Sequence, residues 1–175
     1  MYDVIIIGSG PAAMAAAITA ARLQLRAAVL EEDVPSAAYP DSPLLSWAQL
    51  RQAYEAAGRQ TELLTAVPQA KILSLDKNVV SFSAETASGL QIYGKTVILA
   101  PQPQADGGIG LEFDLLTFKT AAGKIKVDEL MAASVPGIFA AGPATTAGAP
   151  ELLAQAGQGE LAALGAKRWV LDKKP

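Results

Sequence analysis

Gly8-Ser9-Gly10-Pro11-Ala12-Ala13 stands near the start of the chain, and its spacing suits one task. Gly8 permits a tight turn off whatever precedes it. Gly10 has no side chain, so backbone can come close to a pyrophosphate. Ala13 stands where a third glycine is usual and is small enough for a helix to pack on a strand. Some twenty residues on, Glu31 can accept hydrogen bonds from ribose hydroxyls, and Glu32 follows it. A carboxylate there repels a 2′-phosphate, which favours a bare adenosine ribose. The pattern is a dinucleotide-binding fingerprint.

These residues work only if the right elements hold them. Val4 to Ile7 is an apolar, β-branched run, as expected of a strand buried on both faces. An alanine-rich helical stretch runs from the turn to about Leu23, and a second apolar run, Ala27 to Leu30, ends in the two glutamates. A helix N-terminus after Gly10 offers unpaired N–H groups and a partial positive charge to phosphates. Strand, turn, helix, strand and acidic end together make the fingerprint specific.

Further along, Val34 to Leu45 has loop composition, and Ser46 can cap a helix from Trp47 to about Ala57, with Gly58 as its stop. Trp47 and Tyr54, at helical spacing, are read as core. Leu63 to Val67 is a strand. The runs KILSL, VVSFSAE and LQIYG, separated by turn signals, form a small antiparallel meander. Lys95 to Ala100 is a separate buried strand, followed by a loop. A short strand at Ile125 to Val127 and one entering the Gly142 turn precede a final helix from about Glu151 to Leu171. Glu85, Asp106, Asp114 and Asp128 are read as solvated acids.

Composition bounds the rest. A chain of 175 residues with 51% hydrophobic content builds a well-buried α/β core and leaves apolar surface for self-association. A net charge of −3 without basic runs argues against nucleic acid, and Lys173-Lys174-Pro175 is a solvated tail. No apolar run is long enough to span a bilayer. The first residues enter a strand directly, which leaves no room for a signal peptide and makes the cytoplasm the expected location. The chain has no cysteine and no histidine. That removes a redox dithiol, the commonest general base and the commonest metal ligand. Redox chemistry would rest on a cofactor, and no side chain is assigned a catalytic or metal-binding role.

Taken together, the motifs resemble the FAD-binding domain of the thioredoxin reductase family of pyridine nucleotide-disulfide oxidoreductases. YDVIIIGSGPAAMAAAITAAR is similar to that family's first βα unit, VLEE to its second strand, and AAYPD with the Ser46 helix to the segment before its meander. KTVILAP is similar to the strand that usually ends in Ala-Thr-Gly. KIKVDELMAASVPGIFAAGPATTAGAPELLAQAGQGELAAL resembles the closing segment, in which a helix lies against the flavin. The resemblance implies an α/β, Rossmann-like FAD-binding domain over residues 1–175, a parallel sheet with an antiparallel meander, completed by about 119–171. It places Gly8, Ser9, Gly10, Pro11, Ala12 and Ala13 around the pyrophosphate, and Glu31, with Glu32 beside it, at the adenosine ribose. Ala66 and Val67 would meet the adenine, and Ala100 and Pro101 the phosphates. Gly142 and Pro143 would approach the ribityl chain, and Glu151 and Leu152 the flavin pyrimidine edge.

The chain also departs from the family. Only Pro101 to Phe118 stands where the family inserts an NADPH domain, and the Cys-x-x-Cys pair of that domain is absent. No Gly-Gly-Gln is evident in Asp33 to Ala38. Ala-Pro-Gln replaces Ala-Thr-Gly, and Pro143 replaces the aspartate that bonds the ribityl chain. The expectation is a flavoprotein, FAD its cofactor, acting as a redox module served by a separate reductase or electron-transfer partner, without dithiol disulfide reductase activity, and forming a homodimer. A degenerate, non-enzymatic nucleotide-binding or dimerising module is the alternative. A plain NAD- or ADP-binding domain leaves the closing segment without a purpose.

Overall fold

The computed structural model describes residues 1–32, 42–102, 120–121, 124–148 and 150–172. Asp33 to Asp41, the connection from 103 to 119 and the terminal Lys173-Lys174-Pro175 lie outside the described residues, as do Asp106 and Asp114. So does much of the segment standing in place of the family's second domain.

Strand β1 (Tyr2–Ile7) is buried from Val4 to Ile7, as its β-branched, uncharged sequence requires. Helix α1 (Pro11–Arg22) follows, with proline in its first turn, where a missing N–H is harmless. Strand β2 (Ala27–Leu30) then pairs parallel with β1, Val4 opposite Ala27. Helix α2 (Trp47–Gln60) starts in a capping box: the Ser46 hydroxyl accepts from the Gln49 N–H, and the Gln49 side chain accepts from the Ser46 N–H. It runs through Gly58 to Gln60, two residues beyond the expected stop, with Thr61 as its C-cap.

Strand β3 (Leu64–Val67) lies beside β2 at the sheet edge. Strands β4 (Ile72–Lys77) and β5 (Phe82–Thr86) form the antiparallel meander with β6 (Gln91–Leu99). LQIYG and KTVILA are therefore one nine-residue strand rather than two. A hairpin of β7 (Thr120–Ala121) and β8 (Lys124–Ile125), strand β9 (Ile138–Ala140) and helix α3 (Leu152–Asp172) complete the described elements. The strand expected at 125–127 is reduced to this hairpin and an isolated bridge between Val127 and Ala133.

The sheet order is β3-β2-β1-β6-β5-β4, with β9 parallel to the C-terminal half of β6. Strands β3, β2, β1, β6 and β9 all point the same way. Two clusters fill the two sides. Val4, Ile6, Ile98 and Phe139 share one with α1, α2 and α3, and Ile5, Ile7, Val97 and Leu99 share the other with the meander's Ile72, Leu75 and Phe82. This is the parallel sheet with antiparallel meander that the sequence predicts.

One ion pair fastens the start of β1. Asp3 Oδ1 accepts from Lys95 Nζ at 2.7 Å, and Asp3 Oδ2 accepts from the Arg26 N–H at 3.0 Å. Partial burial alone would raise the Asp3 carboxyl, but the Lys95 ammonium and the Arg26 amide outweigh it and hold the group below the ordinary aspartate value. A lowered folded pKa stabilises above the unfolded value near 3.9, and the gain is lost as pH falls through the folded value. Asp3→Asn should cost at most about 1 kcal/mol at neutral pH, because the pair is partly solvated. Urea unfolding should show the two proteins converging below about pH 4; a gap that persists there would count against this account.

Candidate functional site

The parallel strands bring their C-terminal ends to one edge of the sheet. The chain leaves β1 toward β2 through α1, whereas β6 lies on the other side of β1, so the order reverses between β1 and β6. In open α/β sheets that reversal opens the crevice in which ligands bind. Gly8, Glu31 and Ala100 directly follow β1, β2 and β6, and Val67 ends β3.

Gly8 must be glycine on two counts. Its φ is +131°, and a Cβ there would sit 2.1 Å from the Ala100 carbonyl oxygen. The Gly8 N–H donates to Leu30 O at 3.0 Å, and the Ala100 N–H to Ile7 O at 2.8 Å. Three strand ends are thus locked around one turn. The Ser9 hydroxyl donates to Glu32 O at 2.9 Å, tying the turn to the end of β2. Gly10 caps α1 with extended backbone and no side-chain cap, and the first turn of α1 carries no acidic residue. Donors at this end are left for an anion from outside the helix.

Glu31 is held by backbone and side chain alike. Its N–H donates to Val67 O at 2.9 Å and its carbonyl accepts from the Ala70 N–H at 2.8 Å, which places it beside Ala66 and Val67. Its Oε1 accepts a 2.6 Å hydrogen bond from the Tyr54 hydroxyl on α2. Burial, and next the carboxylate itself, push the Tyr54 phenol far above its ordinary value, so it stays a proton donor. Tyr54 is core, as its periodicity predicts, and it is also Glu31's partner. No short-range pattern announces a contact across 23 residues.

The closing segment reaches the same place. The Ala141 N–H donates to Leu99 O at 2.8 Å, setting Gly142 beside the end of β6. A Cβ on Gly142 would lie 3.2 Å from Ala12 Cβ, so the Gly142 turn touches the start of α1. The Gly142 N–H, however, donates to Gln158 Oε1 at 3.0 Å, and Gln158 Nε2 donates to Ala147 O. Pro143 has no N–H to add. Thr145 returns its N–H and hydroxyl to Gly142 O. Glu151 precedes α3, its carbonyl accepting from the Gln155 N–H, and Leu152 opens the helix fully buried. Among the described residues two buried side-chain atoms have no partner, Gln102 Nε2 beside Pro101 and Gln155 Oε1 in the first turn of α3.

The donor set fits an adenosine diphosphate: a cradle that a Cβ would fill, an uncapped helix start and a fixed carboxylate. At the closing turn the Gly142 amide is committed to Gln158 and Pro143 offers none. Among the described residues no cluster of acids can hold a metal ion, and no helix is long and apolar enough to cross a membrane.

The sheet and its crevice define an α/β protein with a mostly parallel sheet, its three helices on one face and an antiparallel meander on the other. The family follows from sequence: the profile described as pyridine nucleotide-disulphide oxidoreductase matches residues 2–116, and the chain belongs to that family. No curated protein matches the chain. Among solved structures, a thioredoxin reductase from Gloeobacter violaceus is similar at 15% identity and a TM-score of 0.78, over 99% of this chain and 96% of that one. Thioredoxin reductase from T. acidophilum matches at 15% identity and 0.76, over 95% and 98%. A ferredoxin-flavin thioredoxin reductase from Clostridium acetobutylicum matches at 17% and 0.74, over 98% and 99%. At these identities the likeness is one of fold.

Proposed function

We propose that the chain is an FAD-binding flavoprotein of thioredoxin reductase type, a single domain over residues 1–175 that works in the cytoplasm as a redox module. One observation carries this: Gly8, the uncapped start of α1, the Tyr54-held Glu31 and Ala100 converge where the strand order reverses. FAD, when bound, supplies the electron-carrying ring, and the chain supplies position. Residues 8–13 with Ala100 and Pro101 surround the pyrophosphate, Glu31 with Glu32 beside it takes the adenosine ribose, and Ala66 and Val67 flank the adenine. Gly142, Pro143, Glu151 and Leu152 border the flavin side. Only Pro101 to Phe118 stands where the family carries its NADPH domain, so electrons come from a separate protein donor, and without cysteine the chain passes them on through no dithiol of its own. Likeness to a ferredoxin-flavin enzyme supports a donor of that kind. Its partners are FAD, that donor and a second copy of the chain.

A second reading, a non-enzymatic nucleotide-binding or dimerising module, is favoured by the Gly142 amide being satisfied internally. Denaturing the purified protein separates the two. The first reading expects a yellow protein that releases FAD; a colourless one that takes up no added FAD would refute it. Gly10→Val should abolish flavin retention. Gly10 is buried but has φ −83° and ψ −175°, which any residue adopts, so the backbone is not strained, and circular dichroism checks that the variant is folded. A folded variant that keeps its flavin would move the pyrophosphate elsewhere.

A further inference from the structure

Helix α3 hides one face against α1 and displays another that is unusually apolar. Leu153, Leu161, Leu164 and Leu171 are 43%, 37%, 43% and 49% exposed. Gly157, Leu164 and Leu171 recur at seven-residue intervals, with Leu153 four residues before Gly157, the spacing of a helix–helix seam. Nothing lies within 4 Å of where a Gly157 Cβ would stand, so this point of the seam is a hollow. Glu160 and Arg168 flank the seam, both exposed, and neither has an ion-pair partner among the described residues.

The pattern is complementary to itself. In an antiparallel pair related by a two-fold axis at Leu164, positions equally far before and after Leu164 face each other. Glu160 then faces Arg168 of the other copy, and the Gly157 hollow faces Leu171. Leu164 faces itself. The helix dipoles oppose as well. An unrelated partner would not require this symmetry. An anionic membrane surface calls for basic flanks, and this face carries Glu160 and Asp172 beside Arg168.

We propose that two copies of the chain associate through α3, packed antiparallel about a two-fold axis at Leu164. This deepens the self-association in the reading above and does not depend on flavin. The facing stretch from Gly157 to Leu171 is about 21 Å long, a contact at the small end of specific interfaces, so the dimer exchanges readily.

The absence of cysteine makes the test direct. Helix axes about 8–10 Å apart, less two Cα radii of about 2.3 Å, bring facing Cα atoms to roughly 3.5–5.5 Å. A disulfide can bridge that gap. Under mild oxidation Leu164→Cys should give a covalent dimer, and Val79→Cys, at a hairpin position 99% exposed, should not. In sedimentation, Glu160→Arg and Arg168→Glu should each weaken the dimer roughly tenfold, and the double exchange should restore it. All four positions are exposed, so the fold is not at risk. A chain that stays monomeric at every concentration would overturn this proposal together with self-association. A dimer in which Leu164→Cys links no faster than Val79→Cys, or which ignores the charge exchange, would overturn this interface alone.

Discussion

Gly159→Ala is expected to destabilise the chain by about 3 kcal/mol, seen as a lower urea midpoint and a melting temperature lower by roughly 6–12 °C. Alanine is normally the better helix residue, by about 1 kcal/mol. The opposite sign follows from where Gly159 sits. A Cβ there would stand 2.0 Å from the Ala12 carbonyl oxygen and 2.9 Å from its carbon. These are backbone atoms of the first turn of α1, which cannot rotate away, so α1 and α3 must separate. The small residues on both helices, Ala12, Ala16, Ala162 and Ala163 among them, are fully buried, and separation opens voids between them. Gly157→Ala on the same helix meets nothing within its own chain and, measured at a dilution where α3 is unpaired, serves as the control, with a gain of about 0.5–1 kcal/mol. If both variants gained stability, the close approach of α3 to Ala12 would be wrong.

Removing the Glu31 carboxylate should weaken ADP binding at least tenfold, and Tyr54→Phe should weaken it by roughly five- to tenfold, about 1–1.4 kcal/mol. The second loss arises because the 2.6 Å bond from Tyr54 holds one carboxylate oxygen in place, leaving the group pre-positioned for a ribose. Glu31 is only half-buried, so water replaces part of the lost bond and the effect stays below that of a fully desolvated charged pair. Isothermal titration with ADP on the two single variants and the double variant checks the mechanism. In a Glu31→Ala background the Tyr54→Phe loss should disappear. An equal loss in both backgrounds would mean that Tyr54 acts through packing. Glu31→Ala should also relax discrimination against a 2′-phosphorylated adenosine nucleotide.

The first βαβ unit was the most legible part, because its function and its folding make the same demands on the same residues. Gly8 and Glu31 are marked by type and spacing, and the strands they follow are marked by unbroken apolar runs. Gly94 misled in the opposite direction. It reads as a break between two strands, yet it lies inside β6, where a Cβ would meet Ile5 Cγ1 at 2.6 Å. The glycine makes room for a neighbouring side chain on β1, 89 residues away in sequence. Gly58 reads as a helix stop, but α2 ends only where Thr61 turns extended. Gln158 had no signal at all. Its role as acceptor for the Gly142 N–H depends on α3 returning past the turn, which no local pattern encodes. Asp128, read as a solvated acid, is exposed and also accepts from the Leu130 and Ala132 N–H groups, organising its own turn.

Strand β6 sets the order in which the chain can be completed. It lies between β1 on one side and β5 and β9 on the other, so one edge of β1 stays bare until residues 91–99 exist. At about 5–20 residues per second, a nascent chain carries the uncovered edge of Val4 to Ile7 for several seconds of synthesis. That edge is apolar, β-branched and free of charge, the kind of template that recruits other strands. The feature that later gathers the strand ends into one crevice is, during synthesis, the chain's most vulnerable interval.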